Sequence, residues 1–242
     1  MQVAVVSDIH GNLAALEATL AAIDADHVDE LWCLGDLTGY GARPNECIDA
    51  IRARAAICLV GNHDLAVRGD LPVVEFSDDA AEAAEWSQRQ LGPEQHAYLR
   101  SLAPLGERDG VALYHASIRD PIWEYVVTPE IARACLAKQR TDLALVGHSH
   151  VALALHLAAG TLKGGLAAAG DAYELTGRRC LLNPGSVGQP RDRDPRAAYL
   201  VLDLDARVAR FHRVEYDIAR TQREITDAGL PIRLAQRLEV GL

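Results

Sequence analysis

Metal-ligating residue types are concentrated at four places in this sequence, and each place carries a glycine. The four clusters are Asp8-Ile9-His10-Gly11-Asn12, Gly35-Asp36, Gly61-Asn62-His63-Asp64 and Gly147-His148-Ser149-His150. Mixed carboxylate, imidazole and amide donors suit manganese, iron, zinc or a similar ion. Each cluster alone is also typical of a cap or a turn. Their joint occurrence, with glycines that let the backbone come close to a cation or a phosphate, predicts a metal centre.

Short apolar runs precede these clusters and predict the strands that position them. Residues 3–6, 31–34, 56–60 and 143–146 are predicted as buried strands, and the spacing of apolar residues predicts helices at 13–23 and 45–54. This alternation indicates βαβ units and a sheet covered on both faces. Ligands of such sheets bind beyond the carboxyl ends of the strands, so the clusters can converge there. Because residues two apart on an extended chain project to the same side, Asp8 and His10 should face one site, as should His148 and His150.

The second half of the chain is richer in strand-like segments than the first. Strand-like segments at 111–114, 151–157, 180–182, 197–204 and 208–214, with glycine-rich turns among them, predict a second, mixed sheet. Further helices are predicted at 78–91, 94–102, 129–137 and 218–228. No linker divides the chain, so we expect one domain over residues 1–242. Segments 76–102 and 160–177 are expected to shape a lid or a subunit contact, and a homo-oligomer is compatible with the sequence.

The composition is that of an ordinary globular protein, with 49% hydrophobic and 24% charged residues among 242. The 34 acidic residues outnumber the 24 basic ones and give a formal charge of −10, which argues against general nucleic-acid binding. The five cysteines are widely spaced and form no CxxC pair, so we expect free thiols in a reducing cytoplasm. No apolar stretch approaches the roughly 18 residues of a membrane span, and the N-terminus resembles no leader. The sequence therefore predicts a soluble, cytoplasmic protein without membrane association.

Together these motifs resemble the calcineurin-like metallophosphoesterases, in their small bacterial and archaeal phosphodiesterase branch. The resemblance rests on the four clusters, on His115 after a predicted strand, and on their order along the chain. Further matches are Gly39-Tyr40-Gly41, Pro44-Asn45-Glu46 and Asn183-Pro184-Gly185-Ser186-Val187-Gly188-Gln189-Pro190-Arg191. The family fold is an α/β architecture, a four-layer α/β/β/α sandwich of two mixed β-sheets flanked by helices. We therefore expect that fold here.

The resemblance also implies a site with two divalent transition-metal ions, manganese foremost, with iron, zinc, nickel or cobalt as the others. Asp8, His10 and His150 would hold the first ion, Asn62, His115 and His148 the second, and Asp36 would bridge both. His63 would act on the phosphate as general acid or phosphate ligand, with Asp36 and Asn62 as the other catalytic residues. The implied reaction is hydrolysis of a phosphodiester or phosphomonoester in a small phosphorylated substrate, by a hydroxide that bridges the two ions.

Three other functions fit the same motifs. A symmetrical dinucleoside tetraphosphate hydrolase shares them, and a non-catalytic metal-binding scaffold such as the retromer subunit of this fold retains the architecture. A DNA-processing nuclease of the family is disfavoured by the acidic charge. Protein phosphatase activity is disfavoured because Leu37-Thr38-Gly39-Tyr40 follows Gly35-Asp36, where those enzymes carry an arginine and an aspartate. Arg191, Arg193 and Arg196 could lend charge to a phosphate. Trp32, Trp86 and Trp123 are expected to be core residues, although Trp123 and Tyr125, just after His115, could instead border the substrate pocket.

Overall fold

The computed structural model describes all 242 residues, which form twelve β-strands and eight α-helices. The strands are β1 (Gln2–Val6), β2 (Glu30–Cys33), β3 (Ala55–Cys58), β4 (Leu105–Arg108), β5 (Val111–Tyr114), β6 (Leu143–Leu145), β7 (Leu153–Ala158), β8 (Thr161–Leu166), β9 (Ala172–Glu174), β10 (Cys180–Asn183), β11 (Ala197–Asp203) and β12 (Val208–Val214). The helices are α1 (Leu13–Asp26), α2 (Pro44–Arg54), α3 (Asn62–Val67), α4 (Asp78–Gln90), α5 (Pro93–Ser101), α6 (Pro129–Lys138), α7 (Ile218–Asp227) and α8 (Ile232–Gln236).

The strands make two six-stranded mixed sheets. The first has the order β3-β2-β1-β11-β12-β9, and β1 pairs with β2 in parallel but with β11 antiparallel. The second has the order β4-β5-β6-β10-β7-β8, in which β5, β6 and β10 are parallel and the outer strands antiparallel. The parallel strands β1, β2 and β3 of one sheet and β5 and β6 of the other each end just before a cluster of polar residues.

The two sheets pack face to face, with helices on both outer faces. Val5 and Trp32 of the first sheet share one buried apolar cluster with Leu113 and Leu182 of the second. On the outer face of the first sheet, α1 and α2 bury their apolar residues, and on that of the second, α6 does so. The predicted four-layer α/β/β/α sandwich is therefore confirmed.

Local sequence signals explain where the helices next to the site begin. The side chain of Asn12 accepts a hydrogen bond from the main-chain nitrogen of Ala15 at 3.1 Å and so caps α1. Thr128 caps α6 in the same way, and Pro129 follows at a helix position where no main-chain donor is needed. Asn12, the last residue of the first cluster, thus has a structural role: by capping α1 it fixes the end of the loop that carries Asp8 and His10.

Three strands and two helices escaped the sequence prediction. Strands β4, β8 and β9 lie at sheet edges, where few side chains are buried and the alternating pattern is weak; β8 also contains Gly164 and Gly165. Helices α3 and α8 have six and five residues, too few for a periodicity. Segment 76–102 forms α4 and α5, and segment 160–177 contributes the two edge strands β8 and β9. None of the eight helices combines the length and apolar character that a membrane crossing requires.

Candidate metal centre

The structure brings all seven sequence-predicted metal ligands and His63 to one buried site. Three groups of ligand atoms, each within 4.8 Å of one another, overlap there: Asp8, His10 and His150; His10, Asp36 and His63; and Asp36, His115 and His148. Asn62 joins the last group, because its Oδ1 lies 3.2 Å from His115 Nε2. Every one of these side chains is buried. The site lies beyond the carboxyl ends of the parallel strands, where the sequence places it.

The backbone that delivers the ligands is not extended, contrary to the reasoning from strand geometry. Asp8, His10, Asp36, His148 and His150 have φ between 51° and 63°, in the left-handed region that non-glycine residues rarely adopt. The strands have already ended, and a sharp turn follows each of them. Side chains two apart do converge, but they do so through left-handed turns. Such conformations cost free energy and are found mainly where a site needs them.

Asp36 occupies the middle of the site. Its Oδ2 is 3.6 Å from His10 Nε2 on one side and 3.5 Å from His115 Nε2 on the other. This oxygen is completely buried and has no hydrogen-bond partner, whereas Oδ1 accepts a bond from the main-chain nitrogen of His63 at 2.9 Å. A buried carboxylate oxygen without a donor is costly unless a cation takes it. Its position between the two groups fits a bridging ligand.

Three histidines have their ring tautomer fixed by main-chain carbonyls. The Nδ1 atoms of His10, His115 and His150 lie 2.9, 2.9 and 2.6 Å from the oxygens of Thr38, Leu34 and Gln189, respectively. Since a carbonyl can only accept, each Nδ1 carries the hydrogen and each Nε2 presents its lone pair to the site. Metal-binding histidines are commonly oriented by such a hydrogen bond from the other ring nitrogen.

One contact indicates that the site is built for a cation. His10 Nε2 and His150 Nε2 are 3.0 Å apart, and the tautomers leave no hydrogen between them. Two lone pairs at that distance repel each other unless a positive charge lies against both. His150 Nε2 is also 3.5 Å from Asp8 Oδ1, and His148 Nε2 is buried without a partner. The donor set and its orphaned atoms therefore fit divalent ions of the manganese, iron or zinc kind.

Burial sets the protonation of the site. It raises the pKa of Asp8 to about 7, although the charge of His115 partly opposes this shift, and it raises the pKa of Asp36 well above its ordinary value, with Asp64 adding to the effect. Burial also lowers the pKa of His10 and His148, and in the same way those of His63 and His150, well below 6.5. His10, His63, His148 and His150 are thus neutral and ready to bind a cation at pH 7, while the two carboxyl groups bind it by losing protons.

We expect manganese affinity to rise between pH 6.5 and pH 8, because Asp8 and Asp36 release protons on binding whereas the histidines do not. Below pH 7 a one-proton release corresponds to about tenfold in affinity per pH unit. The free energy of unfolding of the metal-free protein should instead decrease as the pH rises. The pKa of Asp8 in the folded state exceeds its ordinary 3.8, so its stabilising contribution is fully present below about pH 4 and is lost as the pH rises through 7.

The histidines do not obscure this window. Their pKa values are lowered on folding, so their contribution to stability is complete above about pH 6.5. Titration calorimetry with Mn²⁺ and urea unfolding of chelator-treated protein, both at pH 6.5 and pH 8, test the two trends. An affinity independent of pH over that range contradicts the assignment of Asp8.

Position 61 requires glycine because there is no room for a Cβ atom, not because of its backbone conformation. A Cβ on Gly61 would overlap Asp36 Oδ1 and lie 2.6 Å from His115 Cε1, although its φ of −101° suits any residue. We therefore expect Gly61→Ala to displace the Asp36 carboxylate, reduce metal content and lower turnover about 10²-fold, since a 1 Å displacement can have that effect. Gly165→Ala is the matched control, because a Cβ there meets nothing within 4 Å. Full metal content in Gly61→Ala would show that the site tolerates the shift.

Several residues that the sequence analysis did not assign support or border the site. Asp64 accepts hydrogen bonds from the nitrogens of Leu37, Thr38 and Gly61 and from the Thr38 hydroxyl, and so fixes the loop that carries Asp36. The motif Gly61-Asn62-His63-Asp64 contained this residue and its partner Gly61, but Leu37 and Thr38 are 27 and 26 positions away and could not be read from it.

An aromatic rim, Phe76, Trp123 and Tyr125, borders the site. Phe76 lies between His63 and Trp123, at 4.8 and 5.2 Å between ring centroids, and Tyr125 stacks on His148 at 4.0 Å. The expectation that Trp123 is a core residue is therefore wrong, because its segment turns outward after β5, whereas Trp32 is fully buried. Phe76 begins segment 76–102, which was expected to shape a lid or a subunit contact, but no motif singled out this residue.

The three arginines that follow the 183–190 segment separate in the structure. Arg196 pairs with Asp194 at 2.7 Å, and Arg193 is exposed. Arg191 instead reaches Tyr40, whose ring lies 4.6 Å from that of His10. Only Arg191 of the three is therefore placed to act on a ligand of the centre.

Comparison with known proteins identifies relatives of this chain. Residues 1–207 match the calcineurin-like phosphoesterase superfamily domain. The crystal structure of a metallophosphoesterase from Sphaerobacter thermophilus has a TM-score of 0.90 at 41% identity, covering 100% of this chain and 99% of that one. An uncharacterized protein of Methanocaldococcus jannaschii, MJ0912, is 37% identical over 99% of this chain and 98% of its own length. A symmetrical bis(5'-nucleosyl)-tetraphosphatase of Actinobacillus pleuropneumoniae is 28% identical over 53% of this chain and 49% of its own length.

Proposed function

We propose that this chain, which belongs to the calcineurin-like phosphoesterase superfamily and is a phosphoester hydrolase, cleaves its substrate at a centre of two divalent cations. The observation that carries the proposal is the position of Asp36 Oδ2, buried, without a hydrogen-bond donor, and 3.5–3.6 Å from a histidine Nε2 on each side. Asp36 belongs both to the group with His10 and His63 and to the group with His115 and His148, so its carboxylate could serve two ions.

In this proposal Asp8, His10 and His150 hold one ion, Asn62, His115 and His148 hold the other, and Asp36 joins both. When bound, the ions supply Lewis acidity that brings the pKa of water near 7 and withdraws charge from the phosphate. Manganese is the ion that we propose, with iron, zinc, nickel and cobalt as the ions against which to compare it. Metal-dependent catalysis is a property of the family; the identity of the ion is the part proposed for this chain.

The chain's own groups then orient the phosphate and move a proton. Asn62 carries a side-chain amide at the site, and its amide hydrogens can bind a non-bridging phosphate oxygen. His63 is within reach of the same phosphate, as its ring faces His10 at 4.8 Å and its Nδ1 has no partner in the protein. It can donate a hydrogen bond to the phosphate or a proton to the departing oxygen. Every one of these side chains is buried, which shields the site from bulk solvent.

The substrate that we propose is a small phosphodiester or phosphomonoester. A symmetrical dinucleoside tetraphosphate is the second candidate, and the relatives that carry that name favour it. The match to the first of those relatives covers 53% of this chain and 49% of that protein. A purely structural scaffold is disfavoured, because His63 and the complete ligand set are present.

Hydrolysis of bis-p-nitrophenyl phosphate and p-nitrophenyl phosphate tests the proposal. Metal-stripped protein reloaded with Mn²⁺ is expected to turn over at least one of the two, and the ratio of rates gives the preference for diester or monoester. His115→Ala should lose this turnover together with one ion. Absence of turnover with two ions bound per chain would contradict general phosphoesterase activity and leave a narrow substrate such as the dinucleoside tetraphosphate as the alternative.

A further inference from the structure

Arg191 is a largely enclosed cation beside the metal centre, and neither of its side-chain partners is a carboxylate. One terminal nitrogen of its guanidinium donates to the hydroxyl of Tyr40 at 3.1 Å and to Oε1 of Gln189 at 3.0 Å. Its Nε is completely buried and has no partner at all. Removing a cation from water without an anion is costly, so an enclosed guanidinium normally has an anionic partner. The missing partner indicates that a ligand supplies the charge.

Tyr40 places this guanidinium on the same side of the centre as His63. The Tyr40 ring lies 4.5 Å from the His63 ring, and Cζ of Arg191 lies 5.8 Å from the centroid of Tyr40. The main-chain nitrogen of Arg191 donates to the carbonyl of His150 at 3.1 Å, which ties the loop to the centre. One aromatic ring therefore separates Arg191 from His63, the residue that we place beside the departing oxygen.

The surroundings of Arg191 favour an anion. Asp8 and Asp36 face into the centre and would be neutralised by the ions there. Arg237 is a second cation nearby: burial lowers its pKa, and the charge of Arg191 lowers it further. The Nε of Arg237 donates to a main-chain oxygen of Leu242, the last residue of the sequence, whose terminal carboxylate is its anionic partner, whereas Arg191 has no such partner. An anionic group at Arg191 would relieve this repulsion between neighbouring cations.

We propose that Arg191, held by Tyr40 and Gln189, binds a second phosphate group that adjoins the phosphate under attack and departs with the leaving group. The substrate class is then a phosphoanhydride, such as a nucleoside diphosphate or a longer phosphate chain. This inference rests on the metal centre of the proposed function and favours the second substrate candidate, which contains phosphoanhydride links, over a simple ester. Arginine suits the task because its planar fork matches two phosphate oxygens.

The reaction balances without a further reactant. The oxygen of water bonds to phosphorus at the centre, and the bond from that phosphorus to the bridging oxygen breaks. The bridging oxygen keeps the electron pair and leaves as part of the second phosphate, while the proton of the water passes to solvent. A phosphate has its second pKa near 6, so such a leaving group needs little help from an acid. Arg191 would stabilise the charge that develops on it.

Binding of AMP is compared with binding of α,β-methylene-ADP, which carries one more phosphate group on a methylene bridge that water cannot cleave, over times too short for hydrolysis of AMP. Titration calorimetry on the manganese-loaded protein, with free Mn²⁺ held constant, is expected to give at least tenfold tighter binding of the diphosphate analogue. Arg191→Gln should abolish most of that preference, and Arg191→Lys should restore part of it, because a point charge replaces the fork. Arg193→Gln, an exposed arginine two residues away, is the matched control and should keep the preference.

If Arg191→Gln weakened the binding of AMP and of α,β-methylene-ADP equally, the inference would be overturned. Arg191 would then be a positioning residue for Tyr40 or a residue that binds the attacked phosphate. A wild-type protein with no preference for the diphosphate analogue would overturn it as well. Hydrolysis of bis-p-nitrophenyl phosphate by the same preparation separates the two proposals. Turnover without the diphosphate preference refutes only the subsite, whereas the preference without turnover of any ester, with two ions bound, refutes only the proposed function.

Discussion

Asp36→Asn is expected to reduce the bound ions from two per chain to fewer than one and to lower kcat/KM about 10³-fold, or by roughly 4 kcal/mol. The asparagine keeps the size of the side chain and can still accept the hydrogen bond from the His63 nitrogen. It replaces the charge at Oδ2, the atom that faces His10 and His115, with a neutral amide. Elemental analysis of the purified variant and its rate on bis-p-nitrophenyl phosphate measure the two effects. Two ions per chain in the variant would contradict a bridging role.

The stability of the metal-free variant separates this role from a structural one. Burial makes the Asp36 carboxylate costly in the absence of a cation, as its raised pKa indicates, so Asp36→Asn should unfold at an equal or higher temperature than the metal-free wild type. Asp64→Asn is the contrasting control, because Asp64 accepts four hydrogen bonds and its replacement removes acceptors from main-chain donors. We expect that control to lower the melting temperature.

His63→Ala is expected to retain both ions and lose about 10²–10⁴-fold in turnover, the range typical of general acid catalysis. Burial lowers the pKa of His63 well below 6.5, with Arg191 and His115 adding to the shift, so the free protein holds it neutral at pH 7. A bound phosphate anion would raise that pKa again, and the proton would then be available to the departing oxygen. The loss should therefore be larger for an alkyl leaving group than for p-nitrophenolate.

Rates on a series of aryl and alkyl phosphate esters measure this dependence. His96→Ala, at a partly exposed histidine of α5, is the matched control and should retain full activity. An equal loss for good and poor leaving groups would contradict the acid role and favour His63 as a phosphate ligand. Loss of one ion in His63→Ala would instead make it a metal ligand, which its closeness to His10 and Asp36 allows.

Much of the fold could be predicted because its signals are local. The apolar runs at 111–114 and 208–214 became β5 and β12 with the predicted bounds, and most other boundaries moved by one to three residues. Helix α2 begins one residue early, at Pro44, where a proline is well tolerated. Edge strands such as β8 were missed because their side chains are largely exposed, and exposure removes the pattern on which the prediction depends.

The candidate site likewise has features that local sequence signals predicted and features that they did not. Which residues could bind metal followed from their types and from the strands before them, and the structure brings all of them together. The left-handed turns that aim Asp8, His10 and His148 had no counterpart in the strand geometry used for the prediction. Trp123 and Tyr125 of the aromatic rim could be proposed from their place just after His115, whereas Phe76 was missed because it reaches His63 only through the packing of its loop.

The sequence by itself determined the donor set, its order along the chain and the sheet edge at which it lies, because residue type and short apolar runs are properties of neighbouring residues. The tertiary structure decided which donors meet. His10 and His150 are 140 positions apart, and their 3.0 Å contact depends on how two sheets pack. It also decided that Arg191 turns to Tyr40 while Arg196 pairs with Asp194, although both arginines follow the same motif. Such choices depend on distances between remote segments, and no local pattern encodes those distances.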